Sequence, residues 1–371
     1  MVERKLKNKY YSLDNILKKH ARYNLVFGER SNGKTFSGKE YGLKQYVKNG
    51  SQMAVIRRWR EDFRGKRGKQ FFDDLECTKT GENLIKKITK GKYDCVYYYA
   101  GMWYLANYDQ ELGKKIPAAE PFCLSFALTE WEHEKSASYP KIRTVIFDEF
   151  ITRTTYLPDE FVLFMQTLST IIRDRDDVII FMFGNTVNKY CPYFNEMGLK
   201  HITQMKKGDI DVYQYGDSGL VVAVEYADNI NKYKPSNKYF AFDNSKLKMI
   251  TSGDWELAIY PHNTVKYEKK NICFTYFIVF NDQLLQCDIV VINDNMFTFI
   301  HRKTTDIKNP DKDLIFDTAY HQQLNYRRNI AKPTDTITKR IWWFYQSDNV
   351  YYQDNDVGDA VNNYLKWCKT A

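Results

Sequence analysis

Residues 23–35 read Tyr-Asn-Leu-Val-Phe-Gly-Glu-Arg-Ser-Asn-Gly-Lys-Thr, a strand-like run that breaks into the pattern Gly-x-x-x-x-Gly-Lys-Thr. This pattern, between a strand and a helix, is typical of a phosphate-binding P-loop. Its backbone N–H groups surround the phosphates, its lysine reaches the β- and γ-phosphates, and its threonine hydroxyl binds Mg²⁺. The sequence therefore predicts an ATP and Mg²⁺ site, with binding residues Gly28, Glu29, Arg30, Ser31, Asn32, Gly33, Lys34 and Thr35.

A second strand-like run carries two acidic residues at its end. Residues 144–150 read Thr-Val-Ile-Phe-Asp-Glu-Phe, so Asp148 and Glu149 follow the apolar run directly. Open α/β sheets form their sites at the carboxyl ends of strands. We expect Asp148 to hold Mg²⁺ together with Thr35, and Glu149 to polarise the attacking water as general base. An Asp-Glu pair alone also fits a structural role, but the preceding strand and the P-loop favour catalysis.

Strand-like and helix-like segments alternate through the first half of the chain. This alternation predicts an α/β sheet with parallel core strands. The strand segments are 24–27, 53–57, 95–99, 102–107, 123–128, 144–147 and 178–183, and the helical ones are 34–48 and 159–172. We expect 95–99 and 102–107 to form an antiparallel hairpin at the sheet edge. The strands between the P-loop and Glu149 favour a motor-type ATPase. At the end of the strand 178–183, Asn185 either senses the γ-phosphate or caps the strand.

Several arginines are candidates for phosphate contacts. A ring ATPase usually needs an arginine from the neighbouring subunit, which raises the rate by about 10³ to 10⁵. Arg173 is our first choice for this trans-acting residue and Arg175 the second, with a surface salt bridge as the alternative for both. Residues 57–69 hold seven basic and two acidic side chains. This segment is either a solvated surface loop or a set of contacts to the phosphates of DNA or of a neighbour's nucleotide. The candidates for such contacts are Arg57, Arg58 and Arg60.

The second half of the chain has a different texture. Residues 186–245 contain many Asn, Lys, Tyr, Asp and Gly residues, which favours a linker. Three strand-like runs then follow, separated by tight-turn signals, and predict an antiparallel meander over 272–280, 283–292 and 296–302. We therefore expect an ATPase domain over 1–205, a connector over 206–245 and a C-terminal domain over 246–371. The aromatic cluster Trp342-Trp343-Phe344-Tyr345 is expected in the core of the latter.

Composition narrows the class of protein. The 371 residues carry a net charge of +9, which suggests a polyanionic partner. No run of 18 apolar residues is present and the first residues lack an apolar signal region, so we expect an unsecreted protein outside the membrane. The seven cysteines include no C-x-x-C pair and are expected to be reduced.

These residues together resemble the DNA-packaging ATPases of small tailed phages, a phi29-like podophage family related to terminase large subunits. The similar segments are Glu134-Lys-Ser-Ala-Ser-Tyr-Pro140 with the strand ending in Asp148-Glu149-Phe150, Ile172-Arg-Asp-Arg175, Asn185 with Pro192-Tyr-Phe194, and Ile56-Arg-Arg-Trp-Arg60. The resemblance is dense over residues 20–200. It assigns the trans-acting role to Arg173, and it places Arg60 in a lid position where the family has a lysine implicated in contacts between subunits.

The resemblance also implies partners. It predicts a homo-oligomeric ring, pentameric in relatives, that docks on a capsid portal and moves double-stranded DNA, in the host cytoplasm and transiently on the procapsid. It leaves open whether a scaffold RNA takes part. A helicase or AAA+ remodeller would use similar parts, but residues 200–371 contain no second P-loop. A non-enzymatic nucleotide switch would leave Glu149 without a role.

For the C-terminal domain the resemblance implies an RNase H-like fold. Two-metal cleavage in such a domain needs converging carboxylates, yet residues 271–280 contain no Asp or Glu, and Asp288 and Asp294 alone remain nearby. We therefore expect a vestigial nuclease that contacts DNA or the portal. Its basic residues are candidates for phosphate contacts without cleavage, namely His301, Arg302, Lys303, Arg327 and Arg328.

Overall fold

The computed structural model describes residues 10–30, 32–134, 137–152, 156–228, 260–262, 266–293 and 295–370. The chain divides into two compact units, Met1–Arg153 with Asp159–Trp255, and Thr154–Pro158 with Glu256–Ala371. The strands of the first unit are β1 Tyr23–Gly28, β2 Gln52–Arg57, β3 Cys95–Tyr99, β4 Met102–Asp109, β5 Lys114–Pro117, β6 Cys123–Ala127, β7 Ile142–Asp148, β8 Ile179–Asn185, β9 Ile210–Tyr215 and β10 Leu220–Ala227. Its helices are α1 Asp14–Leu17, α2 Lys34–Asn49, α3 Gly65–Gln70, α4 Asp73–Glu76, α5 Leu84–Ile88, α6 Trp131–Glu134, α7 Glu160–Ile172 and α8 Pro192–Glu196.

The first unit is organised around one mixed sheet. Its strand order is β3-β4-β6-β2-β7-β8-β1-β10-β9, with β5 paired to β4. The six strands from β6 to β10 in that order are parallel, and β3, β4, β5 and β9 are antiparallel additions. All six residues of β1 are buried, as expected for a strand covered on both faces. The predicted parallel core and the edge hairpin of β3 and β4 are confirmed.

Helix α2 lies close against this sheet because two of its residues are glycines. A Cβ atom at Gly38 would lie 2.5 Å from the Phe183 ring, and one at Gly42 would lie 2.5 Å from the Met53 sulfur. A larger residue at either position would force the helix away from the strands. The two glycines therefore allow the helix that begins at Lys34 to pack closely against the sheet.

The predicted connector over 206–245 is wrong for residues 210–227. These residues form β9 and β10, and β10 pairs in parallel with β1 up to the pair Gly28 and Ala227. The acidic Glu225 interrupts the apolar pattern of β10, but its carboxylate is buried and accepts a hydrogen bond of 2.5 Å from the Tyr11 hydroxyl. Residues 229–245, and the predicted domain start at 246, lie outside the described residues.

The second unit has its own sheet. Its elements are β11 Ile272–Phe280, β12 Gln283–Ile292, β13 Asn295–Arg302, β14 Leu314–Asp317, β15 Tyr326–Arg327, β16 Val350–Tyr352, α9 Thr336–Gln346 and α10 Asn355–Thr370. The strand order is β15-β14-β11-β12-β13-β16. Strands β11, β12 and β13 form the predicted antiparallel meander, while β14 is parallel to β11 and β16 is parallel to β13.

The aromatic cluster of the second unit lies on α9. Phe344 is buried in the core as expected, but Trp343 is 52% exposed. The prediction of a core position therefore holds for only part of the cluster. Over the described part of the chain, no helix is both long and apolar enough to cross a membrane.

Candidate nucleotide site

The P-loop connects β1 to α2 through two glycines that no other residue could replace easily. Gly28 has a φ of 152° and Gly33 a φ of 95°, both in a region that side chains disfavour. A Cβ atom at Gly28 would lie 2.8 Å from the Ala227 carbonyl oxygen, and one at Gly33 would lie 2.8 Å from the Tyr10 ring. The loop backbone is thus held between β10 and the N-terminal segment. Ser31 lies outside the described residues.

Lys34 is folded back onto its own loop. Its buried ammonium donates to the Glu29 carbonyl at 2.6 Å, the Gly28 carbonyl at 3.3 Å and the Asn32 Oδ1 at 3.2 Å. Burial lowers the pKa of Lys34 to about 7, against the opposing effect of Asp148 and Glu29. A phosphate beside this group would favour its charged form. The loop is therefore arranged to receive an anion at Lys34.

The other side chains of the loop have distinct environments. The Glu29 carboxylate lies 3.3 Å from the Lys207 ammonium, and Arg30 is exposed. Asn32 is buried, and within the described part of the molecule its Nδ2 atom has no hydrogen-bond acceptor. A ligand that supplies a hydrogen-bond acceptor to this nitrogen would explain why the buried donor is unsatisfied.

Thr35 and Asp148 meet at the end of β7. The Thr35 hydroxyl donates to Asp148 Oδ1 at 2.8 Å, and the Arg57 guanidinium donates to Asp148 Oδ2. A hydroxyl and one carboxylate suit Mg²⁺, which keeps several waters and binds substrate phosphates as well. No group of three or more His, Cys, Asp or Glu side chains among the described residues could hold a metal alone. The donors present therefore fit a magnesium ion that arrives with a nucleotide.

Glu149 follows Asp148 in an unusual backbone conformation. Its φ is 62°, the left-handed region that a residue with a side chain rarely adopts, and its side chain is exposed. Its carbonyl oxygen accepts a hydrogen bond from Arg58. Strained residues of this kind concentrate at functional sites. The turn directs Glu149 away from the strand path that Asp148 follows.

A cleft of about 330 Å³ lies beside the predicted phosphate-binding loop and is lined by Asn32, Gly33, Lys34 and Thr35. Asn185, which pairs with Gly28 at the end of β8, lines it together with Lys34 and Thr35. Tyr10 and Phe36, whose rings stack at 4.5 Å, also line the cleft, as do Asp74, Cys77 and Lys79. The sequence-based prediction missed Tyr10 and Cys77. The only available signal for Tyr10 was an aromatic pair shortly before β1.

Family membership follows from comparison with known proteins. The podovirus DNA encapsidation protein (Gp16) family matches residues 5–106 and 118–303. The chain belongs to this family. A DNA packaging protein of Bacillus phage B103 is 29% identical over 180 residues, which are 47% of this chain and 48% of that protein. The DNA packaging protein of Bacillus phage phi29 is 27% identical over 191 residues, which are 51% and 50% of the two chains.

The chain thus spans about half the length of the curated relatives it matches. The fold extends the similarity further. A solved structure of the phi28 gp11 DNA packaging motor aligns with a TM-score of 0.56 and 17% identity, over 98% of this chain and 97% of that one. The alignment covers both units of the chain, so the similarity of fold to that structure extends over both.

In this encapsidation-family chain, Arg58 is not placed to contact DNA. It is 7% exposed, and its Nε donates to Glu160 Oε2 at 2.8 Å. Its two terminal nitrogens donate to the carbonyls of Glu149 and Phe150. Glu160 also accepts from the Tyr193 hydroxyl at 2.8 Å. Arg58 therefore supports the strained turn at Glu149, and these intrachain bonds do not favour its predicted contact with DNA or a neighbouring subunit, which stays a prediction.

Arg175 is likewise engaged inside its own subunit. Its guanidinium donates to five backbone carbonyls, those of Tyr139, Pro140, Ile142, Ile171 and Ile172. These contacts join the end of α7 to the start of β7. Arg175 thus completes a helix C-terminus, and it is a poor candidate for reaching a neighbouring subunit.

The remaining arginines differ in accessibility. Arg173 is exposed at the end of α7, has a φ of 50° and donates to the Ala137 carbonyl at 2.6 Å. Arg60 is 56% exposed and pairs with Glu130 at the surface. Both side chains can leave these contacts at small cost. They are the accessible members of the predicted trans-acting set.

The second unit of the encapsidation-family chain contains one buried carboxylate with four donors. Asp288 accepts from Thr275 at 2.9 Å, Gln286 at 3.0 Å, Tyr267 at 3.1 Å and His301 at 3.3 Å. Burial opposes ionisation, but the hydrogen bonds of His301, Gln286 and Thr275 hold the pKa of Asp288 below its ordinary value. His301 is thus bound to Asp288 rather than simply free for phosphate. Asp294 lies outside the described residues.

Proposed function

We propose that this chain is the ATP-hydrolysing subunit of an oligomeric motor that moves double-stranded viral DNA into a preformed capsid. The observation that carries the proposal is the hydrogen bond between Thr35 and Asp148 at the end of β7, next to the buried Lys34 and directly before Glu149. Family membership supports the same conclusion. The ATPase domain would be the first unit, which includes β10 Leu220–Ala227.

Each side chain has a distinct task in hydrolysis. Lys34 would turn from the loop carbonyls to the β- and γ-phosphates, and Asn185 would contact the γ-phosphate. Thr35 and Asp148 would hold Mg²⁺, which neutralises charge on the phosphates. Glu149 would orient the attacking water and accept its proton.

The aromatic part of the cleft would take the adenine base. Tyr10 and Phe36 form an apolar wall, and Lys79 lies with its ammonium 5.7 Å from the Tyr10 ring. A planar base can stack on such a surface. Cys77 lines the same cleft and is exposed, so its reactivity would report whether a nucleotide is bound.

The assembly would be a homo-oligomeric ring, a pentamer by analogy with the family, that docks on the portal of a procapsid in the infected cell. An exposed basic segment supports contact with DNA or with a neighbouring subunit. Its exposed members are Arg60, Arg64, Lys66, Arg67 and Lys69.

The proposed function is tested by coupling between ATP, DNA and capsids. We expect the ATPase rate of the full chain to rise on addition of double-stranded DNA, and DNA to become protected from nuclease only when empty procapsids are present. A helicase would instead separate strands without procapsids. Strand separation, or DNA movement that needs no capsid, would contradict the packaging function.

The second unit would be an RNase H-like domain without nuclease activity. Its strand order, with a three-stranded meander extended by the parallel strand β14, supports this fold. The central strand β11 carries no carboxylate, and Asp288 on β12 is already occupied by four donors. Two-metal cleavage requires several carboxylates around ions about 4 Å apart.

We therefore expect the full chain to release no DNA fragments with Mg²⁺ or Mn²⁺. Any binding by this unit should weaken steeply as salt increases, because it would depend on phosphate contacts. The measurement is gel analysis of labelled DNA at low and high salt. Metal-dependent cleavage that disappears in Asp288→Ala but persists in Lys34→Ala would overturn the expectation.

A further inference from the structure

Arg57 occupies the position next to Asp148 where a cation is needed. It is the last residue of β2, the strand adjacent to β7, and its guanidinium donates to Asp148 Oδ2. Thr35 engages the other carboxylate oxygen at 2.8 Å. Asp148 is 5% exposed, so its charge is balanced inside the protein by Arg57.

The Arg57 guanidinium is less completely hydrogen-bonded than those of Arg58 and Arg175. Its Nε atom is buried and has no hydrogen-bond partner among the residues that the structure describes. By contrast, Nε and both terminal nitrogens of Arg58 and of Arg175 donate to carboxylate or carbonyl oxygens. An unsatisfied buried donor is costly, so the position of Arg57 is not a fully satisfied structural one.

We propose that Arg57 is a placeholder for the divalent cation: it neutralises Asp148 in the nucleotide-free protein and withdraws when Mg²⁺ binds with a nucleotide. This inference rests on the proposed nucleotide site. A guanidinium and a magnesium ion cannot both bind the same carboxylate oxygen, and their charges repel each other. Arg57 therefore lowers the affinity of the empty site for Mg²⁺ and keeps the buried Asp148 paired between catalytic cycles.

The consequence is a testable competition. In Arg57→Gln the competing charge is lost, so the Mg²⁺ concentration that gives half-maximal ADP binding should fall at least about fivefold, within the usual range of coupling between two bound groups. ADP is used because it has no γ-phosphate that Arg57 could contact. Binding is followed by the anisotropy of a fluorescent ADP analogue titrated with Mg²⁺, using the full chain.

Two further variants complete the test. Arg57→Lys keeps a positive charge and should give an intermediate Mg²⁺ requirement. Arg143→Gln is the matched control, because Arg143 also pairs with an aspartate, Asp177, but lies at the other end of β7 from Asp148, and it should not change the requirement. The nucleotide-free Arg57→Gln protein should also unfold at a lower temperature than the wild type, with Mg²⁺-ADP restoring much of the difference.

An unchanged or higher Mg²⁺ requirement in folded Arg57→Gln would overturn the inference. If Arg57→Gln does not fold, an Arg57→Lys protein with the Mg²⁺ requirement of the wild type would overturn it. Failure of the proposed function is distinguishable. In that case the wild-type chain would not bind ADP at any Mg²⁺ concentration, whereas failure of the Arg57 inference alone leaves wild-type binding intact.

Discussion

Glu149→Gln should lower the rate of ATP hydrolysis about 10²- to 10⁴-fold, the usual contribution of a general base, while the protein still binds ATP. The amide cannot accept a proton from water. It has the same shape as the carboxylate, so the turn at φ 62° and the bond from Arg58 to the Glu149 carbonyl should persist. The measurement is single-turnover hydrolysis together with nucleotide binding.

Lys34→Ala should lose tight nucleotide binding, whereas Glu149→Gln should retain it. Lys34 is the buried cation at the centre of the loop. Binding can be read directly from Cys77, which is exposed in the cleft. Its alkylation should slow when ATP is added to the wild type or to Glu149→Gln, but not when ATP is added to Lys34→Ala.

Cys273 provides an internal control, because it is also exposed but lies in the second unit. Its alkylation rate should be independent of ATP in all three proteins. If both variants lose ATP protection of Cys77 equally, Glu149 is not the base but a determinant of binding.

Mixing Arg173→Ala chains with Lys34→Ala chains should restore part of the ATP hydrolysis that each variant lacks alone. An arginine acting across a subunit boundary contributes about 10³ to 10⁵ to the rate. In mixed rings, the intact P-loop of an Arg173→Ala subunit can face the intact Arg173 of a Lys34→Ala subunit. The exposed position of Arg173 after α7 allows such a contact.

The experiment requires that mixed rings form, which light scattering or native mass measurement can establish. Arg175→Ala is a useful comparison, because Arg175 bonds five carbonyls of its own chain and its loss should lower stability rather than be complemented. Absence of recovery in assembled mixed rings would exclude Arg173 and leave Arg60 as the next candidate.

The sequence predicted the strand ends of the site well because parallel strands bring their carboxyl ends to one edge. Lys34, Thr35, Asp148 and Asn185 lie together as that rule requires. It predicted the arginines poorly. A basic residue in a sequence has no visible partner, and the partner of Arg58 is Glu160, 102 residues away.

Strand β10 has a local signal in its apolar run 220–224, but the polar composition of the surrounding residues favoured a linker. The contacts of Tyr10 and Tyr11 could not be predicted: the Tyr11 hydroxyl bonds the buried Glu225 carboxylate. Tyr10 belongs to the cleft only because a glycine-bounded loop folds against it, with Gly33 close to its ring. Neither contact has a local sequence pattern, since each depends on segments that meet only in the folded chain.

Strand β10, which pairs with β1, also determines when the site can form during folding. Tyr11 and Glu225 are 214 residues apart in the sequence, and the Tyr11 backbone in turn bonds Asn32 of the P-loop. Contacts of such long range form slowly and only after the intervening chain has been synthesised. The predicted P-loop is therefore completed by β10, the last strand that the structure describes in this unit. A nascent chain that lacks β10 would carry the whole P-loop sequence and still have no finished binding site.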